Sequence, residues 1–332
     1  MTAVLQVKDL RVYYYTARGI VKAVDNVTFD VHAGERFGLI GESGSGKSTI
    51  ALAIMRLIRP PGRIDSGELW LDGENLLALS DEAMRQRRLA GVAMVTQGAM
   101  NSLNPVIRIR QQFADGLSSH GINISNEQVR EQLAALLTRV GLQPDVADMY
   151  PHQLSGGMKQ RVCMALAMSL RPSLIIADEP TSALDVVVQR QVVQTLRQVQ
   201  ETLNAAVILI GHDMGLMAQF ASRIGVMYAG KLVEEGPVRT VFRQPQHPYT
   251  QLLMQSLPSL DEKEEMQATS GAPPSALERP AGCVFHPRCP YVMERCIDAE
   301  PEFRNVTGEQ WAACHLHDEG VASPLSVGEA NT

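Results

Sequence analysis

Phe37-Gly38-Leu39-Ile40-Gly41-Glu42-Ser43-Gly44-Ser45-Gly46-Lys47-Ser48-Thr49 is a short apolar strand that runs into a glycine-rich loop and out again into a helix. Gly41 through Ser48 satisfy the pattern G-x-x-x-x-G-K-[ST]. Such a loop must bend tightly enough for successive backbone N–H groups to face one anion, and side chains would obstruct it. The helix opening at Lys47 turns its positive end toward the same anion. Lys47 supplies a cation for β- and γ-phosphates, and the Ser48 hydroxyl is an oxygen ligand suited to Mg²⁺. Gly41, Ser43, Gly44, Gly46 and Thr49 complete the candidate phosphate site. A chance glycine-rich turn is the bland alternative; the strand before it and the helix after it favour function.

Further along, Leu174-Ile175-Ile176-Ala177 is an apolar strand that ends in Asp178-Glu179-Pro180-Thr181. Alone, two carboxylates before a proline are ordinary turn chemistry. On a chain with a phosphate loop they take specific roles. Asp178 can reach Mg²⁺, and Glu179 can orient or deprotonate the water that attacks a γ-phosphate.

Between these segments stands Leu154-Ser155-Gly156-Gly157-Met158-Lys159-Gln160-Arg161, roughly twenty residues before the acidic pair. Ser155 reads as a helix N-cap, and Gly156 and Gly157 leave the first N–H groups of that helix open to an anion. This octet resembles the signature motif of ABC ATPases. The resemblance extends over about residues 4 to 256 and implies further roles. Gln97, after the strand Val92–Val95, is similar to the glutamine that senses Mg²⁺ and the membrane partner. Ser182-Ala183-Leu184-Asp185 resembles the loop that communicates across a dimer, and His212, after Ala205–Ile210, the histidine that contacts the γ-phosphate. Tyr14 resembles the aromatic platform for adenine, a task that needs only a flat ring. ATP and Mg²⁺ are the implied cofactors.

The resemblance implies an α/β fold: a RecA-like parallel-sheet core with an antiparallel β-subdomain, a helical subdomain and a cysteine-bearing C-terminal extension. The expected boundaries are 1–97 and 173–258 for the two parts of the ATP-binding core, 98–172 for the helical subdomain, and 259–332 for linker and extension. Local patterns agree. Short strands fill the first 40 residues, helices are expected over Lys47 to about Ile58, Asn126–Val140, Gly156–Leu170 and about 186–203, and Arg223 to Glu235 reads as a hairpin. Residues 259 to 281 are polar and linker-like.

Asn101-Ser102-Leu103-Asn104-Pro105, Gln246-His247-Pro248-Tyr249-Thr250 and Gly282-Cys283-x-Phe285-x-Pro287-Arg288-Cys289-Pro290 resemble the oligopeptide/dipeptide importer branch. That branch implies a homologous ATPase as partner in a heterodimer, two membrane permeases, an external substrate-binding protein, and a peripheral place on the cytoplasmic face of the membrane. Composition is compatible. The formal net charge is -6 and no cluster of Lys and Arg offers phosphate contacts, so nucleic acid is not an expected partner. No apolar run approaches the about 18 residues of a transmembrane helix, and no secretory signal is evident. The alternatives fit less well. A non-transport ABC ATPase would carry two cassettes, a coiled-coil insertion or a basic face, and an exporter subunit would lack the tail.

Of five cysteines, Cys163 sits in an apolar helical pattern, while Cys283, Cys289, Cys296 and Cys314 crowd the tail with spacing C-x5-C-x6-C-x17-C. Disulfides are rare in the cytosol. Zinc sites use closer pairs, and a wider spacing suits an iron–sulfur cluster. Buried thiols, zinc with His286, His315 or His317 as substitute ligands, and a cluster all remain open on spacing alone. The family resemblance implies a [4Fe–4S] cluster on the four cysteines.

Overall fold

A computed structural model describes residues 3–96, 98, 102–182, 184–255, 274–321 and 324–326. Gln97, Asn101, Ala183 and most of the polar stretch 259–281 lie outside these residues. In chain order the regular elements are β1 (Ala3–Thr16), β2 (Gly19–His32), β3 (Arg36–Ile40), α1 (Lys47–Ile54), β4 (Gly62–Leu71), β5 (Glu74–Asn75), α2 (Asp81–Arg87), β6 (Val92–Val95), α3 (Ile109–Ser118) and α4 (Asn126–Arg139). Then follow α5 (Gly156–Ala167), β7 (Leu174–Asp178), α6 (Val186–Leu203), β8 (Ala206–Gly211), α7 (Met214–Phe220), β9 (Arg223–Tyr228), β10 (Lys231–Pro237), α8 (Val238–Arg243), α9 (Pro248–Gln255), α10 (Arg295–Asp298), β11 (Arg304–Thr307) and β12 (Gln310–Ala312).

An eight-stranded sheet runs β11-β12-β10-β9-β3-β8-β7-β6, and a four-stranded antiparallel sheet runs β2-β1-β4-β5. Within the larger sheet β6, β7, β8, β3 and β9 are parallel. Period-two alternation makes it a wall between two cores. Ile175, Ala177 and Val207 face the helical side, with Phe113, Leu133, Leu137 and Val162. Leu174, Ile176 and Ile208 face the antiparallel sheet and α1, with Leu5, Phe29 and Ile50. Parallel strands buried on both faces need continuous apolar runs, which is what β7 and β8 carry.

Local chemistry sets the boundaries. Ser125 and Gln128 form a capping box at the start of α4. The helix after the phosphate loop ends at Ile54, short of the expected Ile58, because Arg56 turns into the left-handed region at φ 49. Likewise α5 ends at Ala167 rather than Leu170, with Arg171 left-handed at φ 54. The two short N-terminal strands expected from sequence are one strand, since Asp9, at φ 47, sits in a register irregularity and not in a turn. The tail is no separate appendage: β12 pairs with β10 through Glu234–Ala312 and Glu235–Trp311, and β11 continues the sheet.

Candidate active site

The loop between β3 and α1 is drawn against the backbones around it. A Cβ added at Gly46, which has φ 105, would lie 2.2 Å from the Ala23 carbonyl oxygen, and one at Gly41, φ 147, would lie 2.1 Å from that of Met227. Only glycine fits there. No side chain caps α1, so its leading N–H groups remain available to an anion. Ser43 and Gly44 are exposed, and Ser48 and Thr49 half-buried.

Lys47 is buried, and its Nζ donates to the carbonyl oxygens of Gly41 (2.7 Å) and Glu42 (2.9 Å) and to Ser45 Oγ (3.3 Å). Burial lowers its pKa, against the pull of Glu179, Asp178 and Glu42. Ser48 Oγ donates to Asp178 Oδ1 at 3.0 Å, so both proposed Mg²⁺ ligands already stand together. Burial raises the pKa of Asp178, and Glu179 adds to the rise. A divalent cation here would offset the cost of placing two carboxylates side by side in a poorly solvated site.

Glu179 follows the end of β7 with φ 44, a left-handed conformation uncommon for a side chain of this size. Its backbone N–H donates to the Ile210 carbonyl at 2.9 Å, tying it to β8. His212, just past β8, is exposed, and its Nδ1 lies 3.6 Å from Glu179 Oε1. Lys47, Ser48, Asp178, Glu179 and His212 thus converge at the carboxyl ends of β3, β7 and β8, the customary ligand position in an open parallel sheet.

The remaining candidates are placed elsewhere. Ser155 caps α5 by accepting from the Met158 N–H at 3.3 Å and is exposed. Gly156 is half-buried, and Gly157 is packed so closely that a Cβ would lie 2.6 Å from Val188 Cγ1. Among the described residues no hydrogen bond joins Ser155 to the phosphate loop. Asp185 caps α6 by accepting from Val188 N–H at 3.0 Å. The half-buried ring of Tyr14 lies on Gly62, where a Cβ would come within 2.6 Å of it. Tyr13, its neighbour, donates to Asp25 Oδ1 at 2.7 Å. The Asp25 backbone N–H reaches Gly230, which in turn donates to the Ser45 carbonyl of the loop.

The sequence names no role for two arginines that the fold brings to the site. The tail's Arg288 sends Nη1 and Nη2 to the two carboxylate oxygens of Glu42 at 3.0 and 3.1 Å. Arg279 pairs with Asp25 at 2.7 Å. Arg288 stands next to Cys289, but nothing in the linear pattern names its partner 246 residues away.

The four tail thiols are neighbours. Cys283 and Cys296 are buried, Cys289 and Cys314 half-buried, and all are unpaired. Burial pushes the Cys289 thiol up to about 11 and Cys314 up to about 12, and each of these also feels charge on Cys283 and Cys296. Backbone N–H groups of Phe285 and His286 point at Cys283, that of Tyr291 at Cys289 and that of Leu316 at Cys314. Among the described residues no three His, Cys, Asp or Glu side chains are gathered to hold a single metal ion. Burial favours the neutral thiol at Cys283, Cys289 and Cys314. Substitute histidine ligands are also disfavoured, since His315 is engaged through both nitrogens by Asp318 and Ala299, and His317 Nε2 by Gln246.

A cavity of about 750 Å³ lies between the antiparallel sheet and the tail, lined by Phe29, Leu232, Phe303 and Trp311 and reached by Cys283, and none of the phosphate-loop residues lines it. Among the described residues no helix is long and apolar enough to cross a membrane.

Comparison with known proteins bears on the same segments. A family profile described as ABC transporter matches residues 24–182, and one described as oligopeptide/dipeptide transporter, C-terminal region, matches residues 233–296. The chain is 44% identical to the dipeptide transport ATP-binding protein DppD of Haemophilus influenzae, over 96% of this chain and 97% of that one. It is 43% identical to the oligopeptide transport ATP-binding protein OppD of Escherichia coli, over 90% and 89%. Among solved structures, a dimeric ATP-binding cassette in a post-hydrolysis state bound to ADP and Pi superposes with TM-score 0.63 at 28% identity, covering 71% of this chain and 99% of that one.

Proposed function

Because the chain belongs to the ABC transporter ATP-binding proteins of the dipeptide and oligopeptide transport family, we propose that it hydrolyses ATP to drive import of peptides, or a related small solute, through a membrane permease complex. The gathering of Lys47, Ser48, Asp178, Glu179 and His212 at the carboxyl ends of the parallel strands carries the proposal. The loop from Gly41 to Thr49, with Ser43, Gly44 and Gly46, cradles the phosphates. Ser48, Asp178 and Gln97 attend Mg²⁺. Glu179 activates the attacking water, and His212 and Gln97 sense the γ-phosphate and its metal. Tyr14 stacks on adenine.

The working form pairs this chain with a homologous ATPase. Ser155, Gly156 and Gly157 then close on the ATP held by the partner, and Asp185 lies at the seam. Exposed Val186 and Val187, 64% and 66% accessible beside Asp185, suit a surface that is covered in an assembly. Val106, 77% accessible in the segment 101–106, suits contact with a permease. Such contacts would hold the chain peripherally at the cytoplasmic face, with an extracytoplasmic binding protein delivering substrate to the permeases. Residues 1–97 and 173–258 form the ATP-binding core, 98–172 the helical subdomain and 259–332 the linker and extension.

Cys283, Cys289, Cys296 and Cys314 fit a [4Fe–4S] cluster as a donor set: four free sulfurs at close quarters, three of them with backbone N–H partners. The cluster would supply a structural cross-link or a redox-sensitive one. The residues themselves anchor the tail to the sheet.

Co-purification of the chain with its membrane partners, reconstitution in liposomes and assay of peptide uptake tests the proposal. Uptake should require ATP and Mg²⁺ inside the compartment that holds this chain. Uptake unaffected by ATP, or a complex lacking any permease, would sink it.

A further inference from the structure

Two of the three stretches that resemble the importer branch meet on the phosphate loop. Tyr249, buried at the start of α9, accepts the Glu42 backbone N–H on its hydroxyl at 2.9 Å. Arg288, with a side chain only 6% accessible, grips the Glu42 carboxylate with both terminal nitrogens and donates from Nη1 to Tyr228 Oη at 3.2 Å. Tyr228, Tyr249 and Phe285 pack their rings at 4.5 to 5.5 Å and so fix Arg288 in place. Glu42 in turn offers its carbonyl to Lys47 Nζ at 2.9 Å, and its carboxylate is among the charges felt by Lys47.

Glu42 poses a problem for a phosphate loop. A carboxylate within the loop repels a triphosphate, and the repulsion is strong where water is scarce. We propose that Arg288 neutralises and holds Glu42, so that the cysteine-bearing tail is a working part of the nucleotide site: it supplies the cation that lets this loop accept ATP. The proposal rests on the ATP site described above. Arg288 is a positioning residue, since it acts on the loop through Glu42. A planar bidentate guanidinium is suited to the task because it cancels the charge and fixes its direction together. Arg279 adds a single contact to Asp25, beside Lys231 and Arg11, in the strand β2 whose Ala23 abuts Gly46. The tail therefore places Arg288 on the carboxylate within the loop and Arg279 on one in the strand beside it.

The test uses the full chain and measures Mg²⁺-ATP affinity by titration, with the thermal midpoint taken without nucleotide. Losing a charge-assisted pair of this kind should make Arg288→Met bind ATP about tenfold more weakly. The defect should be smaller for ADP, which carries less charge, and should shrink in high salt. Adding Glu42→Gln to Arg288→Met should restore most of the affinity, because the uncompensated carboxylate is gone. A purely structural clamp predicts the opposite, with a lower midpoint and no rescue. Wild-type ATP affinity in Arg288→Met, or a double variant no better than the single one, would overturn the proposal. If Arg288→Met does not fold, Arg288→Gln, which can still donate to Tyr228, replaces it in the same comparison. Lys47→Ala separates the two levels. Undiminished ATP binding in that variant refutes the site itself. Lost binding there, with none lost at Arg288, refutes only the role of Arg288.

Discussion

His212 Nδ1 lies 3.6 Å from Glu179 Oε1, so the two side chains proposed to flank the attacking water face each other across the ends of neighbouring strands. Glu179 makes this contact from a left-handed backbone, φ 44, at the end of β7. A residue held in an unfavourable conformation beside its partner is characteristic of a reaction centre.

Replacement of Glu179 tests its role. Glu179→Gln keeps the shape and loses the basic oxygen, so ATP binding should persist while turnover in the assembled transporter falls at least about a hundredfold. Phosphate release measured beside ATP binding checks both. Near wild-type turnover would remove Glu179 from the mechanism.

Ser155 lies at an exposed helix end, and among the described residues it makes no hydrogen bond to this chain's own loop. Ser155→Arg should therefore block hydrolysis at the site containing the partner's lysine. Hybrid complexes with one mutant subunit, scored by which subunit's ATP survives, check this. A defect confined to ATP bound at Lys47 would contradict a shared site.

The tail thiols make a compositional prediction. Anaerobically prepared protein should be brown and carry iron and sulfide in equal amounts, and Cys289→Ser should lose the colour. Iron and sulfide assays with visible absorption decide it. Colourless protein bearing zinc would select the metal-ion alternative.

His247 makes stability depend on pH. It is buried, and its Nδ1 accepts the Tyr249 N–H at 3.0 Å, which requires the neutral ring. Burial, with His317 nearby, pushes its pKa from 6.5 down to about 3. A depressed folded-state value means a contribution fully present above pH 6.5 and lost as pH falls toward 3. Glu234, which accepts the Gln246 and His247 N–H groups, is raised by burial to about 7, so its contribution runs the other way and is lost as pH rises through 7. Asparagine can accept the same N–H without titrating. Between about pH 7.5 and pH 5 the wild type should lose about 2 kcal/mol more stability than His247→Asn. Urea unfolding of both proteins at the two pH values measures the difference, and parallel losses would refute the role of His247.

The amino-acid sequence by itself determined the chemistry that depends on contiguous backbone. Gly41 to Ser48 make a nest because glycine spacing sets the direction of successive N–H groups. Ser155 caps a helix because of the residues that follow it. Ile175 and Ile176 face opposite cores because strands alternate. Each is a short-range effect with a period or a spacing. Tertiary structure alone decided which distant groups meet. No periodicity ties Arg288 to Glu42, or places β12 beside β10, since such pairs depend on where the sheet brings the chain back. The three adjacent tyrosines behave likewise. Tyr14 lies on Gly62, on the face opposite Tyr13 and Tyr15, while Tyr13 reaches Asp25 of β2 and Tyr15 reaches Asp65 of β4. Helix ends at Ile54 and Ala167 also escaped the pattern. Arg56 turns left-handed two residues past Ile54, and beyond Ala167 the chain tightens into i−3 hydrogen bonds, Ser169 to Leu166 and Arg171 to Met168, ahead of Pro172.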